Sequence, residues 1–185
     1  MREMFKGCTT AIITPTRADG SVDRDGLDQL VEFQIANHIQ GILAVGTTGE
    51  SPTLLWEEHN EIIERTCKLT KGRCLSVAGT GSNSTRETLA GTEHAAHVGA
   101  DGVLLVDPYY NGPSSLEIRR EYVEPVAAEF PDKTISTLAY QYSRPAPAHL
   151  KPADNVNTVL CTIELNRSRP IATDAGAASN VVGFD

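Results

Sequence analysis

The densest chemistry in the chain sits in Gly46-Thr47-Thr48-Gly49-Glu50-Ser51, directly after the apolar run Gly41-Ile42-Leu43-Ala44-Val45. A short apolar run bounded by glycine predicts a buried strand. Pro52 and the acidic pair Glu57-Glu58 then predict the start of an amphipathic helix. Strand, small polar loop and helix is the layout in which α/β folds hold ligands, at the carboxyl ends of parallel strands. Glycine lets a backbone approach an anion closely, and the free N–H groups of a helix start favour negative charge. The spacing fits a small carboxylate or phosphate site with Thr47 and Thr48 as hydroxyl donors. It fits an ordinary strand-to-helix turn equally well.

Two further polar loops follow apolar runs: Ala78-Gly79-Thr80-Gly81-Ser82-Asn83 and Pro108-Tyr109-Tyr110-Asn111-Gly112-Pro113. His94 and His97 lie three apart on one predicted helix, but no third ligand accompanies them, so they read as a surface face and no metal is expected. Asn83-Ser84-Thr85 is a glycosylation sequon, which carries weight only behind a secretion signal.

The elements that must position these loops recur at roughly 30 residues, the size of a βα unit. Cys8 to Thr14, ended by Pro15, predicts a first strand. Asp23 can cap a predicted helix whose apolar face is Leu27, Leu30, Val31, Ile35 and Ile39, closed by Gly41. The next helix is expected to bury Leu55, Ile62, Ile63 and Cys67 and to end near Lys71-Gly72. Leu75 to Gly79 predicts a third strand, and Ser84 with Glu87 has the spacing of a capping box opening the third helix. Asp101 to Val106 is a fourth strand. Ser114 with Glu117 opens a helix reaching Phe130, kinked by Pro125. Thr134 to Tyr140 predicts a fifth strand and Val156 to Leu165 contains a sixth. Alternating elements of this kind imply a parallel sheet, open or closed into a barrel.

Composition narrows the partners. The chain has 185 residues, 40% hydrophobic and 22% charged, with a net charge of −8. That is a globular composition, and the acidity argues against nucleic acid and anionic membrane surfaces. No apolar run approaches the roughly 18 residues of a membrane helix. Met1 to Lys6 holds no apolar signal core. Cys8, Cys67, Cys74 and Cys161 show no C-x-x-C spacing, which suits free thiols in a cytoplasmic protein.

Taken in order, the Gly46–Ser51, Ala78–Asn83 and Pro108–Asn111 motifs resemble the dihydrodipicolinate synthase family of pyruvate-dependent aldolases, as do Phe5-Lys6-Gly7 and Thr10-Ala11-Ile12-Ile13-Thr14-Pro15. The resemblance covers about residues 4 to 132, and the Thr-Thr-Gly-Glu-Ser and Tyr-Tyr-Asn loops favour the synthase branch over N-acetylneuraminate lyase. It implies an α/β fold of the (β/α)8 TIM-barrel type, typically about 250 residues. It implies a lysine that forms a Schiff base with pyruvate, whose enamine attacks aspartate semialdehyde on the way to lysine. No cofactor is implied, and a homo-oligomer, dimer or tetramer, is. Thr47 and Thr48 match the pyruvate-carboxylate site. Thr48 and Tyr110 match members of a hydroxyl proton relay, Tyr110 being lent by a neighbouring subunit.

The pattern then departs from the family. Tyr140 and Arg144, the nearest matches to a proton-donating tyrosine and a clamp for the aldehyde's carboxylate, are four apart where the family has five. Asn155-Val156-Asn157-Thr158-Val159 resembles the approach to the Schiff-base lysine, yet Leu160 follows, and no lysine comes after Lys151. Residues 1–133 thus read as the N-terminal part of a barrel and residues 134–185 as a divergent, partly unfolded remainder. Five or six βα units do not close eight strands. The expectation is an incomplete barrel, from truncation, a shifted frame or a degenerate copy, whose own activity is in doubt. A sugar-acid aldolase and a non-catalytic interaction fragment are the alternatives.

Overall fold

The computed structural model describes residues 7–139 and 151–160. Six parallel strands form one sheet in the order β1 (Thr9–Ala11), β2 (Gly41–Ala44), β3 (Leu75–Gly79), β4 (Gly102–Leu105), β5 (Thr134–Ala139) and β6 (Val156–Leu160). Each strand pairs with its successor and the order never reverses. Doubly wound sheets reverse at a switch point. Unbroken succession is the winding of a barrel, here incomplete, and it resolves what the rhythm of the sequence left open. Between the strands run α1 (Arg24–Ala36), α2 (Trp56–Thr70), α3 (Thr85–His97), α4 (Ser115–Glu117) and α5 (Glu124–Glu129). No described helix is long and apolar enough to cross a membrane.

The two faces of the sheet differ. In-register partners on the helix side include Ile42, Ala78, Val103 and Ile135, all buried. The other face carries Leu43, Leu104 and Leu138, which are half-buried, and Val159, which is 41% exposed. Parallel strands normally bury both faces. Here the packed core lies between sheet and helices, and the face that a closed barrel would fill is only partly covered.

Three Arg–carboxylate pairs join α1 to α2 and the turn after it: Arg24–Glu61, Arg65–Asp28 and Arg73–Glu32. Each is two-pronged, with N–O distances of 2.5 to 2.8 Å. Asn155 donates to the Ala127 and Phe130 carbonyls at 2.9 and 3.0 Å, satisfying the end of α5 and holding the start of β6.

The predicted elements recur with local corrections. The strand predicted from Cys8 to Thr14 is regular only over Thr9–Ala11, because Thr16 turns back to bridge Val22. The first helix ends at Ala36, not Gly41: His38 takes the left-handed position at φ 62° and Gly41 begins β2. The second helix starts at Trp56, because Ser51–Thr53 makes a separate 3-10 turn around Pro52. Ser84 accepts from the Glu87 N–H as a cap should, but the Glu87 carboxylate bonds the Ser82 hydroxyl, so that box is half made. The box at Ser114 and Glu117 is complete.

The helix expected to reach Phe130 with a kink is instead α4, a π-helical segment over Ile118–Val123, then α5 with Pro125 in its first turn. Proline offers no N–H to the carbonyl four residues back. That carbonyl, of Glu121, accepts instead from the Thr85 hydroxyl at 3.0 Å.

These packing terms rank differently. Ile42 is fully buried, so Ile42→Ala is expected to cost about 2–5 kcal/mol in chemical unfolding. The Arg65–Asp28 side chains are each 33% exposed, so Arg65→Ala is expected to cost about 1 kcal/mol or less, shrinking further in high salt.

Candidate active site

The carboxyl ends of β2, β3 and β4 deliver the three polar loops to one end of the sheet, side by side. Close backbone approach holds them there. A Cβ on Gly79 would stand 2.4 Å from the Val45 carbonyl oxygen and 2.9 Å from the Gly46 nitrogen. A Cβ on Gly81 would stand 2.3 Å from the Val106 nitrogen. The β3 loop is therefore wedged between the ends of β2 and β4 at distances only glycine permits.

Hydrogen bonds complete the arrangement. The Thr14 hydroxyl donates to the Gly49 carbonyl at 2.7 Å, tying the segment after β1 to the β2 loop. The Asn83 side-chain oxygen accepts from the Tyr109 and Tyr110 N–H groups at 2.8 and 2.9 Å, tying the β3 loop to the β4 loop. The Thr137 hydroxyl donates to Asp107 at 3.1 Å, joining β5 to the same end.

The β2 loop itself is strained. Val45 has φ 48° and Glu50 φ 57°. A β-branched residue in the left-handed region is costly, about 1–3 kcal/mol, and persists only where its surroundings impose it. Between these two residues Thr47–Gly49 form a 3-10 turn. Thr47 and Thr48 occupy its first two positions, where helical N–H groups lack an internal acceptor, and both are exposed. Exposed hydroxyls and turn N–H groups of this kind are the chemistry that suits an anion.

Tyr110 is 85% exposed and Tyr109 50%. Tyr110 lines a cleft of about 280 Å³ with Asn83, Pro108, Asn111, Glu121 and Tyr122. Thr47 and Thr48 are not among the residues that line that cleft. Tyr140 and Arg144 lie outside the described residues. β6 ends at Leu160, paired with Ala139 of β5. His94 bonds the Asn60 carbonyl at 3.1 Å, and no metal-ligand cluster occurs among the described residues.

Residues that sequence reasoning passed over hold the site. Thr14 and Asn83 stood inside quoted motifs without a role, and Tyr122 carried no local signal. His59 was also missed. It is 2% exposed on α2, with its ring 4.8 Å from that of Trp56, centroid to centroid. Burial lowers its pKa to about 4, the neighbouring Gly79 backbone opposes that shift, and His94 adds to it.

Two outcomes follow. Gly79→Ala is expected to lose at least about 1–3 kcal/mol in urea unfolding, since backbone must move, and to shift the Thr47 and Thr48 amide resonances. For His59, the unfolded ring takes up a proton near 6.5 and the folded ring only near 4. Between those values the unfolded chain binds more protons, so stability falls as pH falls. The loss is up to about 3 kcal/mol across that window. Unfolding curves collected from pH 7 to 4 should show this slope, and His59→Leu should flatten it.

Comparison with known proteins agrees with this architecture. Residues 4–158 match the Dihydrodipicolinate synthetase family. The 4-hydroxy-tetrahydrodipicolinate synthase of Gluconacetobacter diazotrophicus is 49% identical over 120 residues, 65% of this chain and 40% of that protein. The crystal structure of dihydrodipicolinate synthase from Aquifex aeolicus superposes with a TM-score of 0.68 at 46% identity, covering 72% of this chain and 45% of that one. The Acinetobacter baumannii enzyme, solved in complex with pyruvate, superposes at 0.67 with 41% identity, covering 71% and 45%. The chain thus spans about two fifths of the length of the curated relatives it matches. With the family's motifs on adjacent strand ends and a match over most of its length, the chain belongs to the dihydrodipicolinate synthetase family.

Proposed function

We propose that this chain carries the pyruvate-carboxylate half of a 4-hydroxy-tetrahydrodipicolinate synthase site and does not itself complete the covalent reaction. The observation that carries the reading is the exposed Thr47–Thr48 turn at the end of β2, held by Thr14 and by the glycine contacts of the β3 loop. Its N–H groups and hydroxyls suit the carboxylate of a keto acid, and a relative of this family is solved with pyruvate bound.

In this reading Thr48 and Tyr110 act as a hydroxyl relay. Tyr110, 85% exposed, is presented outward to a neighbouring copy in a dimer or tetramer. Tyr140 takes the role of proton donor, and Arg144 binds the carboxylate of aspartate semialdehyde. The family's chemistry needs a neutral lysine amine at the end of the sixth strand, which attacks the pyruvate carbonyl and expels water to leave an imine. In this chain Leu160 ends β6, and leucine has no amine. Removing the nucleophile from a coupled catalytic unit costs on the order of 10⁶ in rate. The chain therefore holds the keto acid without activating it.

Borohydride trapping tests this. Incubation with pyruvate and sodium borohydride, followed by intact mass and peptide mapping, is expected to leave every lysine unmodified. A reduced pyruvyl adduct on Lys133, Lys151 or any other lysine would show an amine doing the work and overturn the inactive reading.

A further inference from the structure

We propose that Tyr122 is a positioning residue whose phenol hydroxyl sets where the β3 and β4 loops, and with them Asn83 and Tyr110, stand relative to one another. Tyr122 is 2% exposed. Its hydroxyl donates to the Val106 carbonyl at 2.9 Å and accepts from the Ser82 N–H at 3.0 Å and the Thr88 hydroxyl at 3.1 Å. A phenol has one proton to give and two lone pairs to fill, and all three are used.

The partners are not scattered. Val106 directly follows β4, three residues before Tyr109, and Ser82 directly precedes Asn83. The phenol thus bridges the gap between the two loops, and the Asn83 bonds to the Tyr109 and Tyr110 N–H groups bridge it again nearer the tip. The Thr88 hydroxyl also accepts from the Ser82 N–H, at 3.0 Å, closing a three-membered ring of bonds.

The way Tyr122 reaches this place is unusual. It lies in the π-helical segment Ile118–Val123, where the wider turn moves following side chains out of α-helical register. Such segments occur often at functional sites. A phenylalanine would fill the same apolar space. The hydroxyl is costly to bury unless every bond is made, and here the bonds go to loop backbone and to Thr88 alone. Burial also holds the phenol neutral, pushing its pKa up to about 12, so the proton donated to Val106 stays in place at any ordinary pH.

The use of this positioning for Tyr110 chemistry rests on the function proposed above, but the mechanical coupling does not, and its test is independent of pyruvate. Tyr122→Phe in the full chain, followed by amide hydrogen exchange and proton NMR, removes only the hydroxyl. Exchange at Ser82, Tyr109 and Tyr110 is expected to quicken about tenfold or more, while Val31 and Ile42 keep their protection. The Tyr109 and Tyr110 amide protons should also move upfield, the signature of lengthened bonds to Asn83. Unchanged shifts and exchange at those residues, or faster exchange spread evenly over the fold, would overturn the proposal. Thr88→Val, which removes one partner of the same phenol, supplies a milder variant. It should quicken Ser82 more than Ile42, and an even loss would again count against the coupling.

Discussion

The site end of this sheet depends on backbone meeting backbone where no side chain fits. Gly79 lies against the Val45 carbonyl and Gly81 against Val106, so the β3 loop is the keystone between the loops that carry the hydroxyls. It supports the strained Val45, it sets the 3-10 turn holding Thr47 and Thr48, and it brings Asn83 within reach of the Tyr109 and Tyr110 amides. Side-chain bonds from Thr14 and Tyr122 then fix each loop to its neighbour. The strain in the β2 loop is affordable because the buried helix-side core offsets it.

That core is one-sided. The helix face of the sheet is closed by Ile42, Leu105 and Ile135, all buried completely, whereas Leu43 and Leu104 on the opposite face remain half-covered. Stability is therefore concentrated between sheet and helices, with the α1–α2 ion pairs adding little beyond orientation. The loops are built on the well-packed layer, so the end proposed to bind a carboxylate can be ordered while the barrel interior is incomplete. Binding and turnover are separable on this account: the first needs the β2–β4 loops, the second an amine at the end of β6.

Much of this was legible in the residues. Apolar or β-branched runs marked the strands, and the period of α1 and the caps at Ser84 and Ser114 marked helices, because those signals are local. Motif order gave the family and the identity of Thr47, Thr48 and Tyr110 as candidates. Other features had no local signal. Strand order is a matter of long-range pairing, so rhythm alone left open sheet and barrel equal. Pro52 suggested a helix start but sits in a tight turn set by Glu50 in the left-handed region. Pro125 suggested a kink, yet the irregularity falls before it, where Tyr122 reaches for two loops far away in sequence. Thr14 and Tyr122 read as ordinary strand and helix residues because their roles exist only once the strand ends are adjacent. Tyr140 and Arg144 fall outside the described residues, so their assignment rests on the family pattern alone.

The central claim is that a turn of two threonines at the end of β2 receives a keto-acid carboxylate in this chain. Titrating pyruvate into the isotope-labelled protein and following backbone amide resonances tests it most directly. The account predicts saturable shifts at Thr47 and Thr48 that vanish in a Thr47→Val, Thr48→Val double variant. Shifts absent from both residues at saturating pyruvate, or unchanged in the double variant, would contradict it.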